Sequence, residues 1–335
     1  MLKNKILAGA MVLIMPFTMC LTGCSFLSMF NTFSYQYENS SEYKPGDCEI
    51  GDKVTKINLD YIAGDVTIKA ADTDRVSVKE TANCSLKDPQ KVHTWVNEGT
   101  LYVRFCQSLK TVNFTNIKKN LELTLPASQD LEDVIIEMSS GDLVFDGLTT
   151  GGFKVKSSSG DVRADLSGKN IDIKSSSGKI FFTQKGDSEE INLKASSGTI
   201  DIKQTGTCRS MTVNSSSGSV TGDVDKISKM DIHVSSGKIN ISANNIEDLT
   251  SKASSGHCNF EFQTAPKTSD INVSSGGISV SMPEDSDVKV EVKISSGKFN
   301  SDIPFTKDGK TYTSGSGANT MKLHSSSGDV DIRKI

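Results

Sequence analysis

The side chains best placed by type and spacing for chemistry are three lysines, Lys156, Lys174 and Lys194, set 18 and 20 residues apart. Cations recurring at one interval suit an anionic polymer or lipid headgroups, provided the fold stacks them on one face. The nearest acidic group is Asp142 and Asp161 with Asp165 close by. Carboxylates of that kind could hold calcium, but no acidic ladder or calcium-type nonapeptide accompanies them, so solvated turn positions are the expected role. His93, His233, His257 and His324 are scattered, and no Cys-x-x-Cys pair is present, so no metal site is expected. Gly315-Ser316-Gly317 lies between strand-like runs and is not the strand-to-helix elbow of a serine hydrolase. A glycan-cleaving site would need carboxylates facing each other across an aromatic-lined groove. Here aromatics are 6% of residues and Trp95 is the single tryptophan. Neither catalytic residues nor a cofactor are expected.

The N-terminus predicts the compartment. Lys3 and Lys5 precede an apolar run from Ile6 to Met19, and Leu21-Thr22-Gly23-Cys24 follows. The order is that of a secretory signal peptide over 1–23, and the last four residues match the bacterial lipobox. Cys24 is therefore the expected lipid anchor, with two acyl chains sufficient for stable attachment to the bacterial cell membrane on its extracytoplasmic side. Pro16 interrupts a stretch already short for a spanning helix. Removing 1–23 takes two lysines from 37 basic residues and leaves the 41 acidic ones, a formal charge near −6. Nucleic acid is not an expected partner. Five cysteines remain beyond the anchor, Cys48, Cys84, Cys106, Cys208 and Cys258, an odd set without framework spacing. A Cys84–Cys106 bridge is conceivable, although free thiols acting as small hydrophobes are the commoner case.

Four regions position these residues: the signal segment, a polar tether over 24–45, a β section over 46–130 without a clean repeat, and a periodic region over 131–335. In the last, Ser-Ser-Gly occurs ten times, with glycines at 141, 160, 178, 198, 218, 237, 256, 276, 297 and 328. Two positions after the glycine every residue is apolar, from Leu143 to Val330; five before it nine of ten are, Ser251 being the exception. Four before it all are polar. Each repeat of about 20 residues thus reads as two period-2 strands meeting at a Ser-Ser-Gly corner. One coil cannot bury its inner face alone, so stacking is required, and the prediction is an all-β parallel solenoid (β-helix) of ten or more coils. The glycine supplies the sharp corner, and the serines are expected to satisfy corner backbone groups. The outward column four before the glycine reads Glu137, Lys156, Lys174, Lys194, Asn214, His233, Lys252, Asn272, Lys293 and His324. A longer last interval contains Asp308-Gly309, which predicts a hairpin near 304–318. The strand from Asp329 to Ile335 is expected to leave an open sheet edge.

The Ser-Ser-Gly coils, the Gly315-to-Gly317 segment and the closing Ser-Ser-Gly-Asp-Val-Asp-Ile resemble the bacterial putative-adhesin family of β-solenoids, which includes LiaG-type proteins encoded beside cell-envelope stress regulators. The resemblance spans roughly 50–335 and attaches no catalytic residues. It implies a surface rod that binds an envelope component or partner. The rival roles are an accessory of an envelope stress-response system that contacts a membrane protein, and a carbohydrate-active β-helix enzyme.

Overall fold

A computed structural model describes residues 32–108 and 111–335. The signal segment and Cys24 lie outside the described residues.

From residue 130 onward the chain winds as a solenoid with two parallel sheets. In strands such as Leu143–Ser159, Val162–Ser177 and Ile200–Ser217, side chains alternate between the core and the solvent. Register carries each repeat onto the next without slippage at the corner: Val155 pairs with Ile173, Ile173 with Leu193, and Leu193 with Val213. Those residues are all buried, so the core is a set of stacked apolar columns running the length of the rod. The one polar residue of this column, Ser251, is fully buried, and its hydroxyl lies 4.0 Å from the Cys258 thiol of the same coil. The smaller side chains of that coil thus sit together.

The corners explain the glycines and correct the reading of the serines. Gly198 has φ +129°, and a Cβ there would overlap the carbonyl oxygen of Gly178 one layer below. The corner backbone is satisfied from coil to coil, with the amide of Gly178 donating to Ser197 O (3.2 Å) and that of Gly198 to Ser217 O (3.0 Å). The paired serines instead face solvent in all ten corners. Among them only Ser140 donates to a backbone carbonyl, that of Ile62. The serine that points inward is the one three before the glycine, as at Ser157, Ser175, Ser215 and Ser325.

A further coil lies within the section that shows no clean repeat in sequence. Lys56–Ala63 pairs in parallel with Asp130–Ser140, and Val66–Ala71 with the start of Leu143–Ser159. Gly64 (φ +103°) forms its corner. Residues 72–130 are an excursion between stacked neighbours. They close the rod's end, since Thr100–Arg104 and Lys119–Pro126 add parallel to the two sheets and His93–Asn97 and Val76–Ala82 add antiparallel beyond them.

At the other end the layers are out of chain order. Asn319–Ser327 pairs with Thr268–Ser275 on one side and with Val288–Ser296 on the other. Val330–Lys334 likewise lies between Ile278–Met282 and Phe299–Ser301. The expected open edge at Asp329 to Ile335 is therefore wrong: those residues form an inner layer. The predicted hairpin is present as Thr306–Asp308 and Thr311–Ser314, and its second strand pairs antiparallel with Val288 to Glu291, covering part of the outermost coil. The Asp287 carboxylate holds the return by accepting from the Ser316 hydroxyl (2.7 Å) and the Ala318 amide (3.1 Å).

Candidate ligand-binding face

Parallel register brings the three lysines into one column. Glu137 pairs with Lys156, Lys156 with Lys174, Lys174 with Lys194, and Lys194 with Asn214. The column continues through His233, Lys252, Asn272 and His324 to Lys293, the last two exchanged relative to chain order because their coils are exchanged. Successive side chains are about 4.8 Å apart at the backbone. Beside this column runs a second one of exposed serines, from Ser139 and Ser158 through Ser176 and Ser196.

Like charges at this spacing repel unless something offsets them. Lys156 Nζ meets the Glu137 carboxylate at 2.8 Å, which raises the lysine's pKa, and Lys174 Nζ meets Asp172 at 2.8 Å. Both pairs are solvent-exposed, so each is worth about 0–1 kcal/mol and can be exchanged for another anion. Lys194 and Lys252 have no acidic partner among the described residues. Lys293 meets Glu291 at 2.8 Å, so the face is a row of five lysines, three of them loosely compensated, lined by hydroxyl donors.

The other candidates resolve into structural roles. Asp65, Asp142 and Asp161 form a ladder at one corner. The Asp65 carboxylate accepts the Asp142 amide (3.0 Å), Asp142 accepts that of Asp161 (2.8 Å), and Asp161 accepts that of Lys179 (2.8 Å). They tie backbone between coils instead of gathering round an ion, and no group of residues that could hold a metal occurs among the described residues. Asp165 pairs with Lys185 at 2.6 Å. His93 is buried, which lowers its pKa, with Nδ1 2.8 Å from Lys91 O. His257 contacts Ser279 and His324 contacts Asn272. The five described cysteines are free, so Cys84 and Cys106 are not bridged; Cys84 is exposed and Cys106 buried, its thiol pushed up to about 12 chiefly by burial. Shallow depressions of about 220 and 150 Å³ occur on the outer faces of the described residues, the larger of these two among Asp133, Lys154, Asp172 and Glu190.

Sequence reasoning missed the polar network at the rod's N-terminal end. Lys119 and Glu80 form a buried ion pair at 2.8 Å, with 1% and 3% of their side chains exposed. Glu80 also accepts from the Tyr61 hydroxyl (3.2 Å) and the Val92 amide (2.8 Å), and Lys119 donates to the carbonyls of Gln90 (2.7 Å) and Phe105. Every strong donor and acceptor of the pair is used, which offsets its desolvation.

With the geometry in place, comparison with known proteins gives a family. The sequence profile of the Toastrack family (DUF4097) matches residues 54–205 and again 164–333. The chain belongs to this family. Its first match begins just before the coil at Lys56–Ala63 and includes the excursion, so the Toastrack unit embraces both the closed end and the regular coils. Two solved structures align over most of this Toastrack chain. One is a "putative cell adhesion protein" from Clostridium sporogenes, with 15% identity, 87% of this chain and 100% of that chain covered, and a TM-score of 0.20. The other is a "putative adhesin" from Bacteroides fragilis, with 16% identity, 86% and 96% coverage, and a TM-score of 0.31. No curated protein matches significantly. No helix of the described residues is long and apolar enough to cross a membrane.

Proposed function

We propose that this Toastrack protein is a non-catalytic rod on the outside of a bacterial cell, lipid-anchored through Cys24, whose lysine face binds an anionic envelope polymer of the teichoic acid kind. The observation that carries the reading is the register that stacks Lys156, Lys174 and Lys194 beside an unbroken column of exposed serine hydroxyls. A repeating polyanion meets repeating cations there, and the hydroxyls can donate to its oxygens. The adhesin wording attached to the aligned structures is in keeping with this role. The closed core and the structural employment of Asp142, Asp161, His93, His257 and His324 support a binding role over a catalytic one.

The test is a binding titration of purified protein with lipoteichoic acid at low and physiological salt. Replacing Lys156, Lys174 and Lys194 together by glutamine is expected to weaken binding about tenfold or more, roughly 1.4 kcal/mol, and to flatten its salt dependence. Binding that survives the triple replacement sinks the lysine face as the site. The anchor is tested separately: Cys24→Ser should move the protein from the membrane fraction to the medium.

A further inference from the structure

The chain has six tyrosines and one tryptophan; six of these seven lie at the N-terminal end of the rod, and five of them form one connected patch apart from the buried Tyr61. Residues 35–43, expected to belong to a tether, instead lie across the outer face there. Tyr37 N–H donates to the Ser108 hydroxyl at 2.8 Å, fixing the segment. Its rings continue in a chain of contacts: Tyr35 to Tyr37 at 5.9 Å, Tyr37 to Tyr43 at 6.3 Å, Tyr43 to Trp95 at 5.6 Å and Trp95 to Tyr102 at 5.2 Å. Arg104 lies under them, 5.2 to 5.8 Å from the ring centres of Tyr37, Tyr43 and Tyr102.

Tyr35 packs against the core and the Tyr37 hydroxyl is buried, but Tyr43, Trp95 and Tyr102 are not core residues. Trp95 pairs with Tyr102 and Tyr102 with Asn58, in the outward column that continues through Ile135, Lys154, Asp172 and Asn192. Beyond Ile135 that column is polar; at this end it is aromatic and half-buried. Tyr and Trp, with an apolar body and a polar tip, favour the membrane–water interface.

We propose that this aromatic patch seats in the headgroup region of the lipid bilayer that holds the anchor. The inference rests on the lipid-anchor reading. Seven residues lie between Cys24 and Thr32, where the described chain begins, eight steps that span at most about 29 Å. The rod is about 50 Å long at twelve stacked layers. The patch is therefore held close to the bilayer, whereas the far end is free to stand off. A lipid surface within reach and interfacial side chains on the tethered end select the same occupant.

Trp95, the only tryptophan, reports on the patch directly. The acylated mature protein is reconstituted on phosphatidylglycerol and phosphatidylethanolamine vesicles with brominated acyl chains, and its emission is recorded. Blue-shifted emission quenched by the bromines is expected, and Tyr43→Ser, outside the sheets, should lose most of both effects while Lys174→Gln keeps them. Protein that stays vesicle-bound with unshifted, unquenched emission overturns the inference and leaves the anchor standing. Protein that fails to bind vesicles when acylated sinks the anchor reading instead; the inference then survives only if added unacylated protein is quenched. A shift that depends on protein concentration without vesicles assigns the patch to a second copy and overturns the proposal.

Discussion

The regular coils and the closed N-terminal end reach stability by opposite routes. In the coils, residues that stack are equivalent, so Ile173 meets Val155 and Leu193, and no charge enters the core. At the N-terminal end the partners are unique. Glu80 and Lys119 meet across 39 residues, and Tyr61, Phe105 and Phe114 surround the ammonium, with Phe105 at 4.0 Å. Stacked columns extend a rod indefinitely but cannot finish it, because a final layer has no copy of itself to cover it. Ending it takes antiparallel strands and a buried polar lock.

The largest effect should come from charging a column. Leu193→Asp places an unpaired carboxylate among apolar neighbours above and below, at a cost of about 4 kcal/mol or more. Hydrogen exchange is expected to show several adjacent coils opening together while the N-terminal end keeps its protection; a parent-like melt would refute the stacked core. Lys119→Met should cost about 3–5 kcal/mol, because it strands Glu80 in a dry site. Its damage should stay within residues 72–130, and adding Glu80→Gln should recover part of the loss in urea denaturation. If Lys119→Met instead loosens distant coils, the two regions are one cooperative unit and the contrast fails.

Glycines sharpen the contrast inside the coils. Gly198→Ala meets the Gly178 carbonyl, whereas a Cβ on Gly186 (φ +78°) has open space around it. Gly186→Ala should lose about 1 kcal/mol from left-handed backbone alone, and Gly198→Ala clearly more. Equal losses in thermal melts would mean that the corner can relax. The smallest effect concerns acidity. Burial beneath the tyrosine segment pushes Asp60 up to about 6, against the opposing pull of Arg104. The native state then binds a proton more tightly than the unfolded chain, so this group's contribution falls as pH rises between about 4 and 6. Asp60→Asn should remove that slope, and identical pH–stability curves for parent and variant would show that the site is not buried.

The coils were legible in the sequence because each repeat carries the same inward and outward pattern and its neighbour is its own likeness. The lysine column followed from that alignment. The coil at 56–71 was harder to see, since Ala63-Gly64 replaces Ser-Ser-Gly and 72–130 separates it from its stacking partner. The exchange of the last layers left no signal, because Val292 and Leu323 satisfy the same inward requirement in either order. The tyrosine segment and the Glu80–Lys119 lock depend on side chains meeting across dozens of residues, which no local period encodes.

The exchanged layers also bear on how the chain folds as it emerges. Coils can be added one upon another as they emerge, each finding its template already in place, until Met282. Val288–Ser301 arrives next, but the layer it rests on, 319–334, has not yet emerged. Assembly must pause there with an incomplete wall and finish by filling inward. The last step is thus an insertion between two surfaces instead of growth at a tip, and it leaves the completed rod without a template for further strands in its innermost-closing layer.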